Sequence, residues 1–182
     1  MGTIVPIVML IGLPGSGKSF LAARAVRDGP ARVISTDAIR ARLYGDAAIQ
    51  GHWLQVWAAV AAQWREAAAQ IRAGDRSIAI YDATNTARKK RRSTITAMQA
   101  AGFTQVMGLF LDLPLALCLE RNCCRPRQVP TAVILAMHRQ LVGAPPAAIE
   151  GFARLERAIS SEGAAIALAT LLENRTSPEA SL

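Results

Sequence analysis

The hydrophobic pattern of the chain alternates between two periods. Continuous apolar runs rich in β-branched residues occur at 4–11, 32–35, 77–81 and 105–111, with a weaker one at 154–159. Runs of that length and composition predict strands buried on both faces. Between them, apolar residues recur every three to four positions, predicting helices near 18–27, 37–43, 52–73, 87–101, 115–122 and 131–141. Strand–helix alternation of this kind argues for a central, mostly parallel sheet of about five strands with helices on both faces. No internal repeat or linker divides the chain, so one domain is expected over residues 1–175, followed by a flexible tail at 176–182. The longest helical segment carries Trp53, Val56, Trp57, Val60, Trp64 and Ile71 on one stripe. A stripe at that spacing predicts packing on the sheet rather than a surface for stacking bases.

Composition changes this picture in one respect. The 182 residues hold 52% hydrophobic side chains, as a soluble enzyme does, but 21 Lys and Arg stand against 13 Asp and Glu. The formal charge of +8 favours a polyanionic partner, although arginine far outnumbers lysine and a compositional bias would give the same total. Cys118, Cys123 and Cys124 have no metal-ligand spacing, and adjacent cysteines make poor disulfides, which suggests a reducing, cytoplasmic setting. The apolar start lacks a basic leader, and no run reaches the roughly 18 apolar residues of a membrane span.

The strongest chemical signal comes directly after the first strand. Gly12-Leu13-Pro14-Gly15-Ser16-Gly17-Lys18-Ser19 fits the phosphate-loop pattern at every fixed position, between a predicted strand and a predicted helix beginning near Phe20. Glycines let backbone N–H groups curl around phosphate oxygens, and the helix N-terminus adds its partial positive charge. Lys18 is expected on the β- and γ-phosphates of a nucleoside triphosphate, with the Ser19 hydroxyl on Mg²⁺.

In an open parallel sheet, ligands bind beyond the C-terminal ends of the strands. After the second strand stand Asp37 and Arg40, three apart and so on one helix face. Asp37 can accept a proton from an attacking hydroxyl and Arg40 can hold an anion of the same acceptor. Equally, Thr36 or Asp37 can simply cap the helix. After the third strand, Asp82 suits a Mg²⁺ holder, although water or acceptor contacts would also explain it. Asn85 and Thr86 are candidate caps for the next helix, and Asn85 a candidate acceptor contact. That helix opens with Arg88-Lys89-Lys90-Arg91-Arg92. Arg88, and with it Arg92, is a candidate phosphate contact for an extended substrate. Prolines end the helical pattern after Arg121, placing Arg125 and Arg127 on a lid at about 121–130.

Phosphate loop, Ser-Thr-Asp-x-x-Arg, Asp-x-Thr-Asn and Arg-Asn-x-x-Arg-x-Arg-x-Val-Pro together resemble the kinase domain of 5′-polynucleotide kinases, over roughly residues 4–160. The resemblance implies a three-layer α/β/α phosphate-loop fold with a small lid. It also implies ATP as phosphoryl donor with Mg²⁺, and a 5′-hydroxyl end of DNA or RNA as acceptor. It implies Lys18 and Ser19 on the donor phosphates, Asp37 as general base, Arg40 on the acceptor phosphate and Arg125 on the transferring group, with Arg121 supporting the lid. The alternatives are a kinase for a small hydroxyl acceptor (sugar, nucleoside or nucleotide-sugar) and a nucleotide-switched regulatory ATPase. The sequence leaves oligomeric state open, because the alanine-rich stretch 163–172 could pack internally or between subunits.

Overall fold

A computed structural model describes residues 3–173, so the tail expected at 176–182 lies outside the described residues. The elements run β1 (Pro6–Gly12), α1 (Lys18–Asp28), β2 (Ala31–Ser35), α2 (Thr36–Tyr44), α3 (Trp53–Ala73), β3 (Ile78–Asp82) and α4 (Arg88–Ala100). They continue with β4 (Gln105–Leu111), α5 (Leu115–Cys123), α6 (Thr131–Gly143), a 3₁₀ turn (Ala148–Glu150), β5 (Arg154–Ala158) and α7 (Ser161–Glu173). Every predicted strand and helix is present with ends within two residues of expectation.

The five strands form one parallel sheet in the order β2-β3-β1-β4-β5. All seven residues of β1 are buried, as its central place demands. The chain leaves β1 towards β2, returns to β3 beside β1, then crosses to β4 on the other side. That reversal opens a crevice at the C-terminal end of β1, where the phosphate loop sits. Helices α1 and α7 pack together, as do α3 and α4, giving a layer of helices on each face.

Three features depart from the sequence reading. Helix α7 was not foreseen; Ala164, Leu168 and Leu171 bury against the rest of the chain, so one face of the alanine-rich stretch packs internally while Ile166 on another is exposed. The turn Ala148–Glu150 was also missed, and it proves to hold a buried carboxylate. The tryptophan stripe is only partly core. Val56, Val60 and Trp64 are fully buried and Ile71 nearly so, but Trp57 is partly exposed and Trp53 half-exposed. Length explains it. Twenty-one helical residues span about 31 Å, whereas the five residues of β3 span about 17 Å, so the first turns of α3 overhang the sheet.

Candidate active site

The loop after β1 is built by glycines in conformations closed to other residues. Gly15 has φ +83° and lies so close to α5 that an added Cβ would come within 2.3 Å of the Cys118 carbonyl oxygen. Gly17, at φ +93°, turns the chain into α1, whose first turn contains no acidic residue. The helix N-terminus therefore offers its free N–H groups to an anion. Lys18 is buried; its Nζ donates to the Leu13 carbonyl at 2.6 Å and to Ser16 Oγ at 3.2 Å. Burial lowers the ammonium from 10.5 to about 8, against the pull of Asp82. Gly15, Gly17, Lys18, Ser19, Phe20, Arg121 and Arg125 line one open cleft. Of these, the loop glycines, Lys18 and Ser19 were expected on the donor phosphates and Arg125 on the transferring group. Gly12, Leu13, Pro14 and Ser16, also expected in the phosphate loop, are buried.

Asp82 ends β3 and pairs in register with Ser35 at the end of β2, so the segments leaving the two strands emerge at the same level. Its carboxyl is pushed up by burial, while the neighbouring Ser19 hydroxyl and the charges of Lys18 and Arg125 act in the opposite sense. Asp37 pushes it further up. Lys18, Asp37 and Arg125 are therefore near enough to Asp82 for their charges to act on its carboxyl. Loop, strand end, helix start and lid thus converge on one edge of the sheet.

At the start of α2, Asp37 is half-exposed and engaged through both oxygens. Oδ1 accepts from Arg40 Nη1 at 3.0 Å, and Oδ2 pairs with Arg127 Nη1 at 3.1 Å. Neither Thr36 nor Asp37 caps the helix. Ser35 does, accepting from the Ala38 N–H at 3.4 Å, because the strand runs straight into the helix. Asp37 is thereby released from capping. Arg40 is mostly buried, and its Nε has no partner.

Asn85 and Thr86 do not cap α4 either; Ala87 precedes it with no side-chain bond. Asn85, at φ +50°, donates to the Leu10 carbonyl at 2.7 Å and stitches the loop after β3 to β1. Thr86 donates to Gln140 on α6 at 2.7 Å. Arg88 is half-exposed beside the site, with Nε 3.7 Å from Glu150, and Arg92 is exposed. The run's surprise is Arg91. It is fully buried, pairs with both oxygens of the equally buried Glu150 at 2.7 Å, and donates to the Thr86 and Ala144 carbonyls. Its helical position was legible, because Arg91 shares a face with buried Thr94, Ile95 and Met98.

The lid leaves α5 and returns at α6, pinned by buried Asn122, which donates to the Val129 carbonyl at 2.9 Å and accepts from its N–H at 3.0 Å. Arg121 reaches Ser161 of α7 at 3.1 Å, so its bond secures α5 to α7 rather than bracing the lid. Arg125 is exposed at the cleft wall. Burial pushes the Cys118 thiol up, so Cys118 is packing beneath the loop rather than a nucleophile. Among the described residues no cluster of three or more His, Cys, Asp or Glu could hold a metal ion by itself. The pair that exists, a Ser19 hydroxyl against an Asp82 carboxylate, is all oxygen, which suits a hard cation sharing its shell with phosphates and water.

With this geometry in view, residues 7–144 match the family described as AAA domain. The chain belongs to that family. No curated protein sequence matches this AAA-domain chain. Among solved structures, it superposes on a chain of the Pnkp1/Rnl/Hen1 RNA repair complex with TM-score 0.66 and 20% identity, covering 79% of this chain and 46% of that one. A sugar kinase from Janibacter sp. HTCC2649 matches at TM-score 0.64 and 18% identity, over 93% of this chain and 95% of that one. The Deinococcus radiodurans tunicamycin resistance protein matches at 0.61 and 16%, over 98% and 99%. The AAA-domain chain thus spans under half of the repair-complex chain and nearly all of the other two. These likenesses give the AAA domain here the fold of phosphate-loop kinases. No helix among its described residues is long and apolar enough to cross a membrane.

Proposed function

We propose that this chain is an ATP-dependent kinase that transfers the γ-phosphate to a 5′-hydroxyl of a polynucleotide. The observation that carries the reading is the convergence of Lys18, Asp82, Asp37 and Arg125 at one sheet edge, in a chain whose α4, following the loop after β3, opens with exposed Arg88, Lys89, Lys90 and Arg92. Arg88 and Arg92, four apart and so on one face of α4, can meet one ligand together; a small acceptor has no use for that pair, whereas a strand of phosphates does.

Each residue has a task in that reaction. The loop N–H groups and Lys18 hold the donor phosphates, exchanging the Leu13 and Ser16 contacts of Nζ for phosphate oxygens. Ser19 and Asp82 would hold Mg²⁺, which neutralises charge on the β- and γ-oxygens. Asp37 accepts the proton of the acceptor hydroxyl as that oxygen bonds to the γ-phosphorus and the bond to the β-bridging oxygen breaks. To do so it must release one arginine. Arg127, on the lid, is the partner that moves with substrate, while Arg40 stays on the same helix with its Nε buried and meets the acceptor phosphate through its Nη groups. Arg125 neutralises charge on the transferring group from the cleft wall.

The second reading is a sugar or other small hydroxyl acceptor, favoured by the end-to-end match to the sugar kinase. Kinetics with ATP and a panel of acceptors separates the two. The first predicts the highest kcat/KM on a 5′-hydroxyl oligonucleotide, with steep loss as salt rises. Faster transfer to a sugar or nucleoside, insensitive to salt, selects the second.

A further inference from the structure

The overhanging start of α3 carries an aromatic surface that the phosphoryl transfer itself does not use. Trp53 is 50% exposed and stacks on Trp57 with ring centroids 5.6 Å apart and planes 28° from parallel. Trp57 meets Trp64 edge-on at 5.3 Å, and Trp64 meets Tyr81 at 5.1 Å. Tyr81 directly precedes Asp82 in β3, and the charge of Arg40 acts on its hydroxyl. A ladder of four rings therefore runs from the exposed surface to the buried end of β3, one residue before Asp82. The far end of α2 is fastened to the same place, since Tyr44 donates to Gln55 at 2.9 Å and accepts from the His52 N–H at 3.0 Å. Asp37 and Tyr44 are seven residues apart on α2, a rise of about 10 Å, so Trp53 stands beyond reach of the nucleotide that reacts.

Charge marks this surface for an anion-bearing ligand. Lys90 Nζ, from the basic start of α4, lies 5.8 Å from the centroid of the Trp53 ring. That is the outer limit of a cation–π contact, and at an exposed site such contacts are weaker than the stacking of a base on an aromatic ring. A base can displace the ammonium, and its flexible stem then carries it to a phosphate. An aromatic face with a mobile cation at its edge is what a single strand needs, a π-surface for the base and a charge for its backbone.

We propose that Trp53, supported by Trp57 and Lys90, is a stacking platform for a base of the acceptor strand downstream of the reacting 5′ nucleotide. The proposal rests on the polynucleotide reading and deepens it, since it assigns single-stranded nucleic acid, rather than a mononucleotide, as the ligand of this edge.

The test compares wild type, Trp53→Ala and Trp53→Phe on two acceptors, a short single-stranded 5′-hydroxyl oligonucleotide and a nucleoside 3′-monophosphate, which has no downstream base. Trp53→Ala should raise KM for the oligonucleotide about tenfold, leave KM for the monophosphate and kcat unchanged, and lose part of the tryptophan quenching that the oligonucleotide causes. Trp53→Phe should restore most of the loss. If wild type labels the oligonucleotide and Trp53→Ala does so with the same KM, the platform is wrong and the kinase reading stands. If wild type labels neither acceptor, both fall. If Trp53→Ala instead turns a dimer into a monomer in sedimentation with KM unchanged, the surface is a subunit contact and the platform is overturned.

Discussion

Replacing Lys18 with methionine should trade ATP binding for stability at neutral pH, and the trade should vanish as pH rises. Lys18 is buried beneath the phosphate loop, and desolvation lowers its ammonium from 10.5 to about 8. One pKa unit corresponds to about 1.4 kcal/mol, so holding that charge in the folded state costs about 3 kcal/mol at pH 7. Below pH 8 the folded and unfolded chains both keep the proton, and the full cost is present. Between pH 8 and 10.5 the unfolded chain holds more of it, so this group makes the wild type more stable as pH rises. Methionine has similar length and no charge. In urea unfolding without nucleotide and with a chelator present, the stability difference between variant and wild type should therefore move against the variant by about 3 kcal/mol from pH 7 to pH 10.5. Saturating ATP with Mg²⁺, at about a hundred times its Kd, should stabilise the wild type by about 2.7 kcal/mol and leave the variant unmoved. A difference that stays flat with pH would refute the buried-ammonium account of the loop.

Glu150→Ala should destabilise the fold by about 3–5 kcal/mol, because it strands the Arg91 guanidinium in the interior. In a domain of this size that lowers Tm by about 2–4 °C for each kcal/mol, measurable by thermal unfolding. The two lid arginines should separate in kinetics. Arg125→Ala should lower kcat by about 10³-fold or more if it meets the transferring group. Arg127→Ala, which removes one half-exposed ion pair from Asp37, should change stability by under about 1 kcal/mol and kcat far less than Arg125→Ala does.

Periodicity and the glycine loop made most of this architecture legible, for identifiable reasons. β1 had to be central because every residue is apolar or small, and Gly12–Ser19 leaves little choice of conformation. What escaped was whatever depends on a neighbour distant in sequence. Five consecutive cations read as a charged surface, yet Arg91 is interior because a 3₁₀ turn fifty-nine residues later brings Glu150 against it. Ser35, rather than Thr36 or Asp37, caps α2, because no loop separates β2 from the helix. The tryptophan stripe was sound along the part of α3 that faces the sheet and failed where the helix outruns it. Asp37 was singled out from sequence by its place after a strand. Its second arginine could be assigned only once the lid was seen folded over it.

The most direct test of the account incubates γ-labelled ATP and Mg²⁺ with a 5′-hydroxyl oligonucleotide and either wild type or Asp37→Ala. Wild type should place label on the 5′ end, while Asp37→Ala should bind ATP with unchanged affinity and transfer none. Equal labelling by the two proteins would remove Asp37 from the chemistry, and labelling by neither would contradict the polynucleotide kinase reading itself.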